Sequence, residues 1–105
     1  MAIREILEEE LENSLRMEQE YSLRLEKLPR GSLVRRMRNG HEYYYIVYRK
    51  EGKVCLDYVG KEVSAEMKKE YQEAKVKRAQ YRNLRSKVRQ QIRFIRRALR
   101  AKQPA

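Results

Sequence analysis

The amino-acid sequence predicts an α+β protein: an N-terminal helix, a three-stranded antiparallel β-meander and a long C-terminal helix. The two helices are expected to pair as an antiparallel coiled-coil-like hairpin. Three observations lead there. Apolar residues recur at three- and four-residue steps over residues 1–28 and again over 64–101. Between them, over 32–60, the period falls to two and strand-forming residues are punctuated by two glycine turns. A chain of 105 residues, 41% hydrophobic and 39% charged, is one domain (1–105) with a thin core, too thin for an enclosed catalytic pocket.

In the first helix, Ile3, Ile6, Leu7, Leu11, Ser14, Met17, Tyr21, Leu25 and Leu28 fall on one face. Glutamates flank that face, among them Glu5, Glu8, Glu9, Glu12, Glu20 and Glu26. Pro29 cannot continue the helix and Gly31 permits the turn out of it.

The meander follows from two tight turns. Asn39-Gly40 supplies the positive φ angles of a two-residue hairpin, and Lys50-Glu51-Gly52-Lys53 marks a second turn. In the middle strand Tyr43, Tyr45 and Val47 point one way, and Tyr44, Ile46 and Tyr48 the other. Both faces are aromatic or aliphatic, so one is expected to pack on a helix and the other to meet a partner. Gly60 closes the sheet.

Ser64 is the expected N-cap of the long helix, and Glu66 suits the positive end of its dipole. At about 1.5 Å per residue this helix would be on the order of 55 Å long. No glycine or proline interrupts it before Pro104. A helix of that length must pair with the first helix, with a second copy of the chain, or with a ligand.

Charge is distributed unevenly. The chain has 26 Lys and Arg against 15 Asp and Glu, a net charge of +11. Residues 1–28 carry four basic and eight acidic residues, whereas residues 75–105 carry twelve basic and none acidic. On the last helix Arg78, Arg82, Arg85, Arg89, Arg93, Arg96 and Arg100 are spaced by four, three, four, four, three and four. At about 100° per residue they occupy a strip roughly 80° wide. A packing strip of Tyr81, Leu84, Val88, Ile92, Ile95 and Leu99 runs about a quarter turn away. Guanidinium forks match phosphate oxygens and keep their charge, so such a row can follow a nucleic-acid backbone. The competing reading is structural: antiparallel docking would bring Glu8, Glu9, Glu10 and Glu12 near the Arg93–Arg100 end. Eight acids cannot neutralise twelve basic residues, so a positive surface is expected to remain.

A second basic group, Arg35, Arg36 and Arg38 with Tyr43, Tyr44, Tyr45 and Tyr48, interleaves charge with aromatic rings. Such a sheet can stack bases and hold phosphates; it can also be an ordinary tyrosine-rich sheet. Arg35, Arg36, Arg38, Tyr43 and Tyr45 join the arginine row as candidate nucleic-acid or partner contacts.

Little points to catalysis. His41 is the only histidine and has no evident partner, and Cys55 is the only cysteine, so neither a metal cage nor an internal disulfide is expected. No glycine-rich phosphate loop is present, and Asp57 and Glu62 do not form a spaced catalytic pair. The expectation is a non-enzymatic protein without cofactors. No apolar run of about 18 residues suggests a membrane span, and the acidic start does not resemble a secretory signal. A cytoplasmic protein is expected.

The stretch Leu28-Pro29-Arg30-Gly31-Ser32-Leu33, then Tyr43-Tyr44-Tyr45, then Tyr58-Val59-Gly60-Lys61, resembles short uncharacterised proteins of bacteria and their phages. A related strand pattern occurs near the start of some transposases. The resemblance covers residues 28–61 and implies a phage or mobile-element setting, without assigning catalytic residues. Two functions are therefore expected to compete. One is a small basic nucleic-acid-binding protein, for DNA or RNA, gripping the phosphate backbone through its arginine-lined helix. The other is a protein-interaction module, such as a phage-encoded inhibitor of the anti-CRISPR type that binds a host nucleoprotein enzyme. The apolar strip of the last helix could in addition pair two copies as a homodimer.

Overall fold

A computed structural model describes residues 2–101; Met1, at the start of the expected first helix, and residues 102–105, at the end of the chain, lie outside the described residues. The order is α1 (Ile3–Lys27), β1 (Ser32–Arg38), β2 (His41–Lys50), β3 (Lys53–Gly60) and α2 (Ala65–Arg100). This is the α+β arrangement expected from the sequence, with the two helices paired. The chain divides into two compact units. One holds α1 with α2 from Arg78 onward, and the other holds residues 28–77.

The helical unit is built on a narrow seam. Along α2 the covered positions include Arg78, Tyr81, Arg85, Val88, Ile92, Ile95 and Leu99, at alternating steps of three and four. Along α1 they include Leu7, Leu11, Ser14, Glu18, Tyr21 and Leu25, with the same alternation. That 3.5-residue spacing is the signature of coiled-coil packing. Arg4 lies against Leu99, Glu18 against Arg89, Ser22 against Arg85 and Tyr21 against Tyr81, so the helices run antiparallel.

Several residues expected on these faces are displaced from them. Ile3 (76% exposed), Ile6 and Met17 of α1, and Leu84 of α2, are exposed. A 3.6-residue face drifts around the helix, whereas the seam keeps the 3.5 repeat. That repeat selects Glu18 over Met17 and Arg85 over Leu84. Ser14 is the most buried polar residue at 2% exposure. Among the described residues no buried side-chain polar atom lacks a hydrogen-bond partner.

The second unit is a meander of strand order β1-β2-β3 packed on the first part of α2. Arg38 pairs with His41 and Lys50 with Lys53, leaving two-residue loops. Asn39 (φ 52°) and Gly40 (φ 78°) form one turn, and Glu51 (φ 54°) and Gly52 (φ 78°) the other. Two consecutive positive φ angles define the type I′ turn, whose twist matches that of the strands. At the far end of β3, Tyr44 pairs with Gly60 while Tyr45 pairs with Tyr58, so Val59 is an extra residue, a bulge that bends the strand.

Tyr44, on the face turned to α2, is 8% exposed, and the Lys68 ammonium lies 5.4 Å from its ring centroid. Tyr48 stands on the same face and donates to Asp57 Oδ1 at 3.3 Å. The negative charge of Asp57 holds the Tyr48 phenol above its usual pKa. Arg30 ties the chain leaving α1 to the sheet, donating to the Arg49 carbonyl at 3.1 Å with its guanidinium over the Tyr48 ring. Ser64 caps α2 as expected, its Oγ accepting from the Met67 amide at 3.0 Å.

Two backbone positions and one core position give measurable expectations by urea unfolding followed by far-UV circular dichroism. Glu51 holds a left-handed conformation that costs an ordinary residue about 1–2 kcal/mol, so Glu51→Asn should raise stability, by up to about 1 kcal/mol. A Cβ on Gly31 (φ 85°) would stand 2.5 Å from the Val47 carbonyl oxygen, so Gly31→Ala should destabilise the meander by more than about 1 kcal/mol. Ile92, 4% exposed in the seam, should cost about 2–5 kcal/mol on truncation to Ala.

Candidate nucleic-acid interface

The seven arginines of α2 do not form one uniform row. Arg78 and Arg85 occupy seam positions and are half-buried. Arg85 Nη1 donates to Ser22 Oγ at 3.3 Å. Their long apolar stems can line a seam while the guanidinium reaches its edge. Together with Arg82, Ser22, Leu25 and Glu26 they line an open cleft of about 390 Å³. Arg89 Nε donates to Glu18 Oε2 at 2.8 Å, an ion pair between the helices.

The remaining four, Arg82, Arg93, Arg96 and Arg100, are exposed. Among the described residues none of the four forms an ion pair or hydrogen bond. The helices dock antiparallel as expected, but among the described residues Glu8, Glu9, Glu10 and Glu12 form no ion pair with the Arg93–Arg100 end. Glu8 pairs within its own helix, with Arg4 at 3.2 Å, and Glu20 does the same with Arg24 at 2.7 Å. Neighbours four residues apart on a helix reach each other at little entropic cost, which accounts for Glu8 and Glu20. Arg4 also donates, through Nη1, to the Leu99 carbonyl at 3.3 Å, placing a cation at the negative end of α2. Arg24 donates to the Tyr81 hydroxyl at 3.2 Å, and its guanidinium lies 5.6 Å from that ring's centroid. Tyr81 first, and then Glu20, hold its pKa above the ordinary arginine value.

The meander carries a second, separate group within its own unit. The register places Arg36 opposite Tyr43 and Arg38 opposite His41. Residues paired across strands share a face, so Arg36 and Arg38 lie with Tyr43 and Tyr45 on the face turned away from α2. Arg35, expected among them, is on the other face, where it pairs with Glu42 at 3.4 Å. A one-residue step in a strand reverses the side, so three neighbouring arginines cannot share one surface.

Composition did not point to Tyr58. Its ring lies 5.6 Å from that of Tyr45 and 6.3 Å from that of Tyr43. The signal was available: in a meander Tyr58 falls opposite Tyr45 once the Glu51-Gly52 turn sets the register. His41, 6.5 Å from Tyr43, extends the aromatic group.

Among the described residues no cluster of three His, Cys, Asp or Glu side chains is arranged to hold a metal ion, and no helix is long and apolar enough to cross a membrane.

The cross-helix pair Glu18–Arg89 leaves 48% of the arginine and 29% of the glutamate side chain exposed, so solvent screens it. A double-mutant cycle with Glu18→Gln and Arg89→Gln should give a coupling energy of about 0–1 kcal/mol. The coupling should shrink further when unfolding is measured in about 1 M salt.

No curated protein and no solved structure matches the chain. A family model described as a domain of unknown function (DUF6788) matches residues 2–69. That span holds α1, the whole meander and the first turn of α2; the arginine row lies beyond it. Since more than half of the chain is matched, the protein belongs to the DUF6788 family.

Proposed function

We propose that this protein binds nucleic acid, with the exposed side of α2 gripping the phosphate backbone. The carrying observation is the strip of Arg82, Arg93, Arg96 and Arg100, exposed and without a carboxylate partner among the described residues, on a segment with no acidic residue from Lys75 onward. At about 1.5 Å per residue the strip covers roughly 27 Å, long enough to meet several phosphates in succession. Guanidinium groups held at fixed intervals on a helix are pre-organised for such contacts. The seam supports this arrangement, because it fixes the rotation of α2 and therefore the side on which the four charges stand.

A backbone grip of this kind discriminates weakly between sequences, since phosphate contacts position a protein and carry no base information. Duplex DNA or structured RNA would both satisfy it. Arg89 contributes less while Glu18 engages it.

The test is fluorescence anisotropy with a labelled duplex across a salt series. Four phosphate contacts give a slope of roughly −4 in log affinity against log salt, or about a hundred-fold loss between about 50 and about 200 mM. Replacing Arg82, Arg93, Arg96 and Arg100 with Gln should remove most of that slope, and Arg93→Gln alone should reduce it by about 1. Glu18→Gln releases Arg89 and should steepen it by about 1. A flat salt response, or a quadruple variant that binds like the parent, overturns the reading. A defined protein partner retained after nuclease digestion would favour an acidic protein groove instead, the setting in which an inhibitor of a nucleoprotein enzyme would act.

A further inference from the structure

We infer that the open face of the meander is a stacking platform for the bases of single-stranded nucleic acid. This deepens the nucleic-acid reading but rests on a different surface, so the two can fail separately.

The face away from α2 exposes aromatic rings where a sheet exposed to water would ordinarily be polar. Tyr58 is 57% exposed and Leu56 is 48% exposed. Tyr43, Tyr45 and Tyr58 make one cluster across β2 and β3, with interplanar angles of 55° and 60° between neighbours. The rings support one another at their edges and leave Tyr58 facing outward. Arg36 and Arg38 stand beside them on the edge strand β1, and with Tyr43, Tyr45 and Leu56 they line a recess of about 280 Å³.

Charge identifies the occupant. The two carboxylates carried by β2 and β3, Glu42 and Asp57, are both on the opposite face, engaged by Arg35 and Tyr48. The aromatic face therefore carries cations without an acid among its strand residues. An acidic polymer with flat apolar groups fits it: bases on the rings, phosphates on Arg36 and Arg38. A duplex keeps its bases stacked on each other and cannot offer them to a flat sheet, whereas a single strand can.

The experiment compares labelled oligothymidylate, oligouridylate and an abasic oligomer of the same phosphate count, each titrated with the full chain at one salt concentration. The two base-bearing strands should bind at least about ten-fold more tightly than the abasic one and quench tyrosine fluorescence. Tyr58→Leu should weaken that binding about five-fold or more, since a stacked base contributes over about 1 kcal/mol. Tyr58→Phe should keep it, and duplex binding should be unchanged in both variants. Should Tyr58→Leu lose its circular dichroism signal, the exposed pair Arg36→Gln and Arg38→Gln replaces it, with a similar expected loss. Equal affinity for abasic and base-bearing strands, or a folded Tyr58→Leu protein that binds oligothymidylate like the parent, overturns the inference. The α2 reading is tested independently: the quadruple arginine variant should lose duplex binding yet keep the preference for base-bearing over abasic strands.

Discussion

The antiparallel seam between α1 and the second part of α2 governs the presentation of charge. Among the described residues, three of the five buried apolar ones, Val88, Ile92 and Ile95, lie on this stretch of α2. A core so small cannot tolerate rotation of either helix, because each apolar side chain moved into water forfeits about 25 cal/mol per Å². The rotation in turn decides the fate of every arginine. Arg78 and Arg85 share the heptad positions of Ile92 and Leu99, so they are drawn into the seam. Arg82, Arg89 and Arg96, four residues after Arg78, Arg85 and Ile92, stand at its side. Arg93 and Arg100 stand one residue beyond Ile92 and Leu99, further out. An exposed basic strip and a packing surface are thus two consequences of one 3.5-residue repeat.

Neutralisation is incomplete for a local reason. Glu8 and Glu20 have arginines four residues away on their own helix and are taken up there. Glu18 reaches across because it occupies a seam position, close to the partner helix by construction. The acidic helix therefore moderates the field of the basic one without cancelling it, and the pairs it forms are solvent-screened and weak.

The meander separates chemistry by side. Its α2-facing surface gathers Tyr44, Tyr48 and the partnered carboxylates, while the outer surface gathers Tyr43, Tyr45, Tyr58 and unopposed arginines. The two type I′ turns enforce this division. A register slip of one residue would move every side chain of a strand to the opposite face. The left-handed Glu51 is retained at some energetic cost as part of one of those turns.

The order of elements, their approximate bounds, the Asn39-Gly40 turn and the Ser64 cap could all be read from the sequence. Each depends on local conformational preference or on a short-range period. The existence of a basic helix with arginines at three- and four-residue steps was equally legible. What the linear chain could not decide was membership of the faces. Glu18 and Arg85 look like surface residues by composition, and Met17 and Leu84 look like core. Only the pairing of two helices at a 3.5-residue repeat reverses those assignments. Likewise Arg35, Arg36 and Arg38 form one cluster in sequence, but strand pairing sends Arg35 to Glu42 and leaves the other two beside the tyrosines. Local preferences along the chain set which elements form and how much charge they carry. Packing sets which side chains those charges face, because that depends on a rotation and a register fixed by contacts distant in the chain.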